Sequence, residues 1–187
     1  GITIDFPKVD KPYKITYQTK LKERPTQNST IKNNVSWNGH TSGNEVYVPQ
    51  GVLTKHVGAP NYKDKTVKWW FKANSDRQEL KNIVLSDKFA TPGLTMKENS
   101  LVVKVGNKII SADNYTVQYN VDGQAFVLTF NPEFQTNQEI IVEFETHFDY
   151  AALKAANKTE FKNTGKITST DYEGNKHKDR EAYQVLP

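Results

Sequence analysis

A lysine, an aspartate and an asparagine stand on three separate alternating stretches, each in the phase otherwise taken by apolar residues. In Val52–Val57, Leu53, Lys55 and Val57 share a face. In the stretch around Lys81–Lys88, Ile83, Leu85, Asp87 and Phe89 share one, and in Thr159–Thr170, Phe161, Asn163, Gly165 and Ile167 do. Successive strand side chains point to opposite faces, so the three polar groups point inward with their neighbours. An isolated buried charge is expensive, and the least costly arrangement brings the three together.

In an apolar pocket, desolvation lowers the pKa of the Lys55 amine and raises that of the Asp87 carboxyl, favouring the neutral form of each. A neutral amine is a nucleophile. Protonated Asp87 is then placed to hydrogen-bond the side-chain carbonyl of Asn163, to stabilise the oxyanion as Lys55 attacks, and to pass a proton to departing ammonia. The product is an amide between Lys55 and Asn163, formed without an outside enzyme because groups fixed in contact have a very high effective concentration. A second reading stays open at this point: a bulge shifts the phase of a strand, and a strand lysine commonly carries its amine out to water.

The elements that must position these groups are strands. Period-two runs rich in Val, Ile, Thr, Tyr and Phe fill the chain, predicting an all-β fold, a sandwich. Strands are expected at Ile2–Phe6, Tyr13–Lys22, Thr30–Asn38, Val46–Val48, Val52–Val57, Thr66–Asn74, Lys81–Lys88, Ser100–Val105, Tyr115–Tyr119, Ala125–Phe130, Glu139–His147, Thr159–Thr170 and Arg180–Val185. Gly106-Asn107 and Asp122-Gly123 mark tight turns. Asp149–Asn157 reads as one short Asp-capped helix. In Thr66–Asn74 the inward phase holds Val67, Trp69, Phe71 and Ala73, so Trp69 and Phe71 are expected to wall the pocket around Lys55, with Trp70 on the opposite face.

Composition narrows the function classes. The 187 residues include 36% hydrophobic and 11% aromatic side chains, enough for a real core, and no cysteine, which removes disulfides and thiolate metal sites. The net charge of +4 comes from lysines scattered singly, a pattern of solubility that argues against nucleic acid as a partner. No cofactor or metal is expected, because His40, His56, His147 and His177 lack ligand spacing. No window is apolar enough for membrane insertion, and the first residues lack the pattern of a signal peptide, so an exported protein would carry that signal outside this segment.

An internal repeat organises the chain. ITIDFPKVDKPYKITYQTKL followed by STIKNNVSW has the order of features of FVLTFNPEFQTNQEIIVEFETHF followed by TEFKNTGKI, and each ends in a further strand, EVYV and EAYQV. Residues 1–50 therefore read as the C-terminal strands of a truncated or partner-completed sandwich, and residues 51–187 as a complete copy. Asn33 of IKN matches Asn163 of FKN, while the Lys and Asp that would face it are missing from residues 1–50. Asn33 is thus a candidate for a crosslink to a complementing chain or neighbouring domain.

The lysine strand, TVKWWFKAN, IVLSD and TEFKNTGKI, in that order, resemble the collagen-adhesin type of isopeptide-forming domain of Gram-positive surface adhesins. The resemblance implies an immunoglobulin-like sandwich, a Lys55 to Asn163 isopeptide bond and Asp87 as its catalytic acid. A related pilin-type family uses glutamate, but Glu143 and Glu145 alternate with Val142 and Phe144 and should face water, which favours Asp87. The implied role is a segment of a cell-wall-anchored extracellular adhesin, with the anchor outside the segment, that binds host extracellular matrix, collagen by resemblance, or bears load as a stalk. It would be no enzyme beyond one intramolecular turnover. The alternative is an uncrosslinked carbohydrate-binding sandwich using Trp70, Tyr115 and Tyr119.

Overall fold

The computed structural model describes residues 1–187, and its strands form three antiparallel sheets. The smallest is a hairpin of β1 (Ser29–Trp37) and β2 (His40–Val48). The other two lie face to face over one apolar core, an immunoglobulin-like β-sandwich, with a single short α-helix.

One sheet runs β3 (Leu53–Val57), β4 (Thr66–Ala73), β12 (Ile140–Phe148), β7 (Val102–Val105) and β8 (Lys108–Ile109), with β6 (Leu94–Met96) also paired to β12. The facing sheet runs β14 (Arg180–Leu186), β13 (Phe161–Thr170), β5 (Leu80–Phe89), β10 (Gln124–Phe130) and β9 (Tyr115–Val121), with β11 (Gln135–Thr136) added to β5. β3 and β14 are the outermost strands of their sheets and lie near each other across the sandwich. Arg180 ties them by donating from Nε to the Leu53 carbonyl at 3.0 Å.

Alternation holds where the core demands it. β4 and β12 bury every second residue, Val67, Trp69, Phe71 and Ala73 against Ile140, Val142, Phe144 and Thr146. β5 departs once: Leu80 and Ile83 are both buried, and Asn82 between them takes a left-handed backbone with φ 51°. The pairing with β13 shifts at the same place, between Thr168 and Thr170, so a bulge restores the phase before Leu85 and Asp87. The turn signals form as expected, with Asp122 and Gly123 at φ 51° and 74° joining β9 to β10 and Gly106-Asn107 joining β7 to β8. The helix α1 (Tyr150–Ala155) is capped by Asp149, whose carboxylate accepts from the Ala151 and Ala152 N–H groups. No helix is long and apolar enough to cross a membrane.

Two expected strands are absent. Ile2–Phe6 and Tyr13–Lys22 alternate, yet residues 1–28 form no ladder. A strand needs a neighbouring edge for its N–H and C=O groups, and β1 pairs only with β2. The hairpin itself turns at Asn38-Gly39, with φ 45° and 80°, a pair that sequence reading passed over although it is a strong hairpin signal. One face of the hairpin carries Ile31, Asn33, Val35 and Trp37 opposite Val46, Asn44, Ser42 and His40, and that face is open to solvent.

The hairpin is tethered to the sandwich at its base. Arg24 grips Asp76 with two hydrogen bonds, from Nε at 2.7 Å and Nη2 at 2.8 Å, and also donates to Asn74 Oδ1. Asn28 Oδ1 accepts from the Gln50 N–H, Gln50 Oε1 accepts from the Val52 and Leu53 N–H groups, and Arg180 Nη1 donates to the Thr26 carbonyl.

Candidate functional site

Lys55 sits at the centre of β3, an edge strand, with its side chain turned between the sheets rather than out to water. Its backbone pairs with Phe71 of β4, and Phe71 pairs in turn with Val142 of β12. The amine lies 3.7 Å from the centre of the Phe71 ring, 4.6 Å from that of Phe144 and 5.8 Å from Trp69. Three aromatic faces thus surround a nitrogen that has lost its water. Trp69 and Phe71 are the walls that alternation predicts; Phe144, in the same phase of the next strand, is the one it left out.

The facing sheet supplies the acid and the carboxamide. Asp87 on β5 pairs with Phe126 of β10 on one side and Gly165 of β13 on the other. Asn163 follows two residues before Gly165 on the same inward face. Lys55 Nζ and Asp87 Oδ1 are 2.7 Å apart, and both side chains are fully buried. Asn163 is also fully buried and lies beside Asp87, near enough to favour the ionised carboxyl, although neither of its side-chain atoms has a hydrogen-bond partner of ordinary geometry. Asp87 Oδ2 is likewise unpartnered.

Unpaired buried polar atoms are rare in folded proteins, and each costs about 1–3 kcal/mol. Three of the four such atoms in this chain belong to Asp87 and Asn163; the fourth is Arg24 Nη1. Burial pushes the Lys55 amine down to about 8, against the partial support of Asp87. Burial also pushes the Asp87 carboxyl up, opposed by Lys55 and Asn163. Both shifts move the pair toward amine and carboxylic acid, a neutral couple in which the acid proton bridges to nitrogen or is free to serve the neighbouring carbonyl. The arrangement brings together an amine whose neutral form burial favours, a carboxyl whose protonated form burial favours, and an electrophilic carboxamide, with water excluded.

The remaining candidates lie elsewhere. Glu143 and Glu145 face outward, where they pair with Lys104 and Lys97 at 3.0 Å each. Trp70 is on the outer face and stacks on His56, with ring centres 5.3 Å apart and planes 13° from parallel. Tyr115 packs against Phe130 in the sandwich, and Tyr119 stands half exposed on β9. Asn33 is exposed on the hairpin, where its Nδ2 donates to the Tyr17 hydroxyl. No group of three or more His, Asp or Glu side chains is arranged to hold a metal ion.

No protein-family model matches the chain, and no curated protein matches it. Solved structures do. The collagen-binding domain of a Staphylococcus aureus adhesin superposes with a TM-score of 0.54 at 12% identity, over 74% of this chain and 98% of that one. The collagen-binding subdomain of the Enterococcus faecalis surface protein ACE gives 0.53 at 15% identity, over 70% and 92%. The full-length major pilin SpaD of Corynebacterium diphtheriae gives 0.56 at 19% identity over 71% of this chain, which spans 34% of the pilin. At these identities the likeness is one of fold: the sandwich is built like adhesin and pilin domains.

Proposed function

We propose that residues 51–187 are a self-crosslinking domain of an extracellular surface adhesin or pilus-like stalk, in which Lys55 and Asn163 become joined by an isopeptide bond with Asp87 as the acid. The observation that carries this reading is the buried carboxamide of Asn163, unpartnered beside a 2.7 Å Lys55–Asp87 contact inside an aromatic cage. The neutral Lys55 amine attacks Cγ of Asn163, the Cγ–Nδ2 bond breaks, and Asp87 moves a proton from the attacking nitrogen to the leaving one. One amide and one ammonia result. Each domain reacts once.

The location of the two partners suits a load-bearing role. Lys55 is on the first strand of the sandwich and Asn163 on the penultimate one, so tension between the ends passes through the crosslink rather than through the ladders between them. The fold likeness to collagen-binding and pilin domains supports an exported setting and makes a matrix protein such as collagen the first ligand to try.

Residues 1–50 are proposed to be the closing strands of a neighbouring sandwich. The solvent-facing Ile31, Val35, Trp37 and Val46 on the hairpin support this, as does the position of Asn33 opposite Asn44, like Asn163 opposite Gln184. A complementing chain or domain bearing the amine and acid would cover that face and crosslink at Asn33.

Intact-mass spectrometry tests the central claim. The chain is expected about 17 Da lighter than its sequence, and Lys55→Ala or Asn163→Ala at full sequence mass. An unmodified chain at full mass would overturn the crosslink.

A further inference from the structure

Gly165 occupies the interior of β13, directly across the ladder from Asp87 on one side and Ala182 of β14 on the other. Its backbone is not left-handed, so no turn or bulge requires glycine there. Glycine inside a strand weakens it, and its presence usually marks the close approach of another group. Here the group is Phe71. A Cβ on Gly165 would lie 1.9 Å from Phe71 Cε1, 2.7 Å from Cζ and 2.8 Å from Cδ1, so the ring occupies the space any other residue would fill.

The ring has little freedom to withdraw. Phe144 and Phe126 pack on it with centres 6.0 and 6.3 Å away, and Phe126 and Phe144 are themselves in edge contact at 5.0 Å. Its other neighbour is the Lys55 amine, 3.7 Å from the ring centre. A side chain at 165 would therefore drive the ring toward the amine, or force the sheets apart and let water in.

We propose that Gly165 is a positioning residue for the crosslinking reaction: its missing side chain seats Phe71 between the sheets, and the seated ring fixes Lys55 Nζ against Asp87 and keeps water from it. This rests on the Lys55–Asn163 reading and extends it to a residue outside the three that the reaction uses. Displacement of reacting groups by about 1 Å can cost up to about a hundredfold in rate.

The test follows mass loss over time, between pH 5 and pH 10, after dilution into buffer of full chain assembled chemically in denaturant, which has never folded and so still has its full mass. Gly165→Ala is expected to slow the loss of ammonia about tenfold or more and to move the rising limb of the pH–rate profile upward, as the amine regains water. In a Phe71→Leu background, where the ring is gone, adding Gly165→Ala is expected to change the rate less than about twofold. That pair also decides the matter if Gly165→Ala alone does not fold. A folded Gly165→Ala chain that reacts like the parent, or an equal tenfold loss in the Phe71→Leu background, overturns the role of Gly165 while leaving the crosslink standing. A parent chain that never loses ammonia overturns both.

Discussion

Lys55 and Asp87 meet across the two sheets at 2.7 Å with no solvent on either side chain. Removing either partner alone leaves an uncompensated polar group in a dry interior, which generally costs more than the pair itself contributes. Asp87→Asn keeps the shape and loses the acid, and it should slow crosslinking by about 10²–10⁴-fold, read as persistence of full mass after refolding.

The depressed Lys55 pKa makes a signed prediction about stability. In Asn163→Ala, which keeps a free amine, the folded chain binds fewer protons than the unfolded one between the Lys55 value of about 8 and its ordinary 10.5. Stability should therefore rise with pH across that window, by about 3 kcal/mol in total, with the full penalty present below it. Asp87 acts in the opposite sense, since its raised pKa makes stability fall as pH rises above 3.8. Urea midpoints between pH 8 and 10.5 measure the first effect. The crosslinked parent, whose Lys55 nitrogen is an amide in the proposed product, should show no such rise.

Trp69 donates its indole N–H to Thr146 Oγ1 at 2.9 Å, with both residues wholly buried. Thr146→Val fills the space but strands the N–H, at an expected cost of about 1–3 kcal/mol, whereas Thr146→Ser should recover most of it. Denaturant titration followed by tryptophan fluorescence separates the two variants.

Arg24 holds residues 24–28 against the sandwich through its forked contact with Asp76. Arg24→Ala should raise amide exchange at Gln50, whose N–H is bonded to Asn28, about tenfold or more. The Lys55–Asp87 contact lies elsewhere, so the rate of mass loss should be unchanged. A slowed reaction would show that the tether reaches the site.

Much of the site was legible because alternation is a strict rule in a two-sided core. Lys55, Asp87 and Asn163 each broke the apolar phase of its own strand, and all three are buried where that phase puts them. Phe144 stood in the inward phase but was not expected to wall the pocket, because it looks like ordinary core; only the pairing of Trp69 with Phe144 brings it under the amine. Gly165 could not be interpreted from its strand, since its meaning lies in Phe71, which arrives from the opposite sheet. The short strands β6, β8 and β11 were invisible to periodicity because two or three residues cannot display a period. Ile2–Phe6 and Tyr13–Lys22 failed the other way: the pattern was present, but alternation reports a buried face and not an available edge.

The separation of β3 from β13 along the chain has a topological consequence. The proposed amide from residue 55 to residue 163 would close a covalent ring around nearly the whole sandwich, leaving two free tails. Such a molecule stays a lasso even in boiling detergent and should migrate ahead of the linear Asn163→Ala chain on a gel. By loop-closure reasoning, a ring on the order of 100 residues also removes about 4–5 kcal/mol of disorder from the denatured ensemble. The proposed bond would thus narrow what the chain can become when it melts, and favour its return.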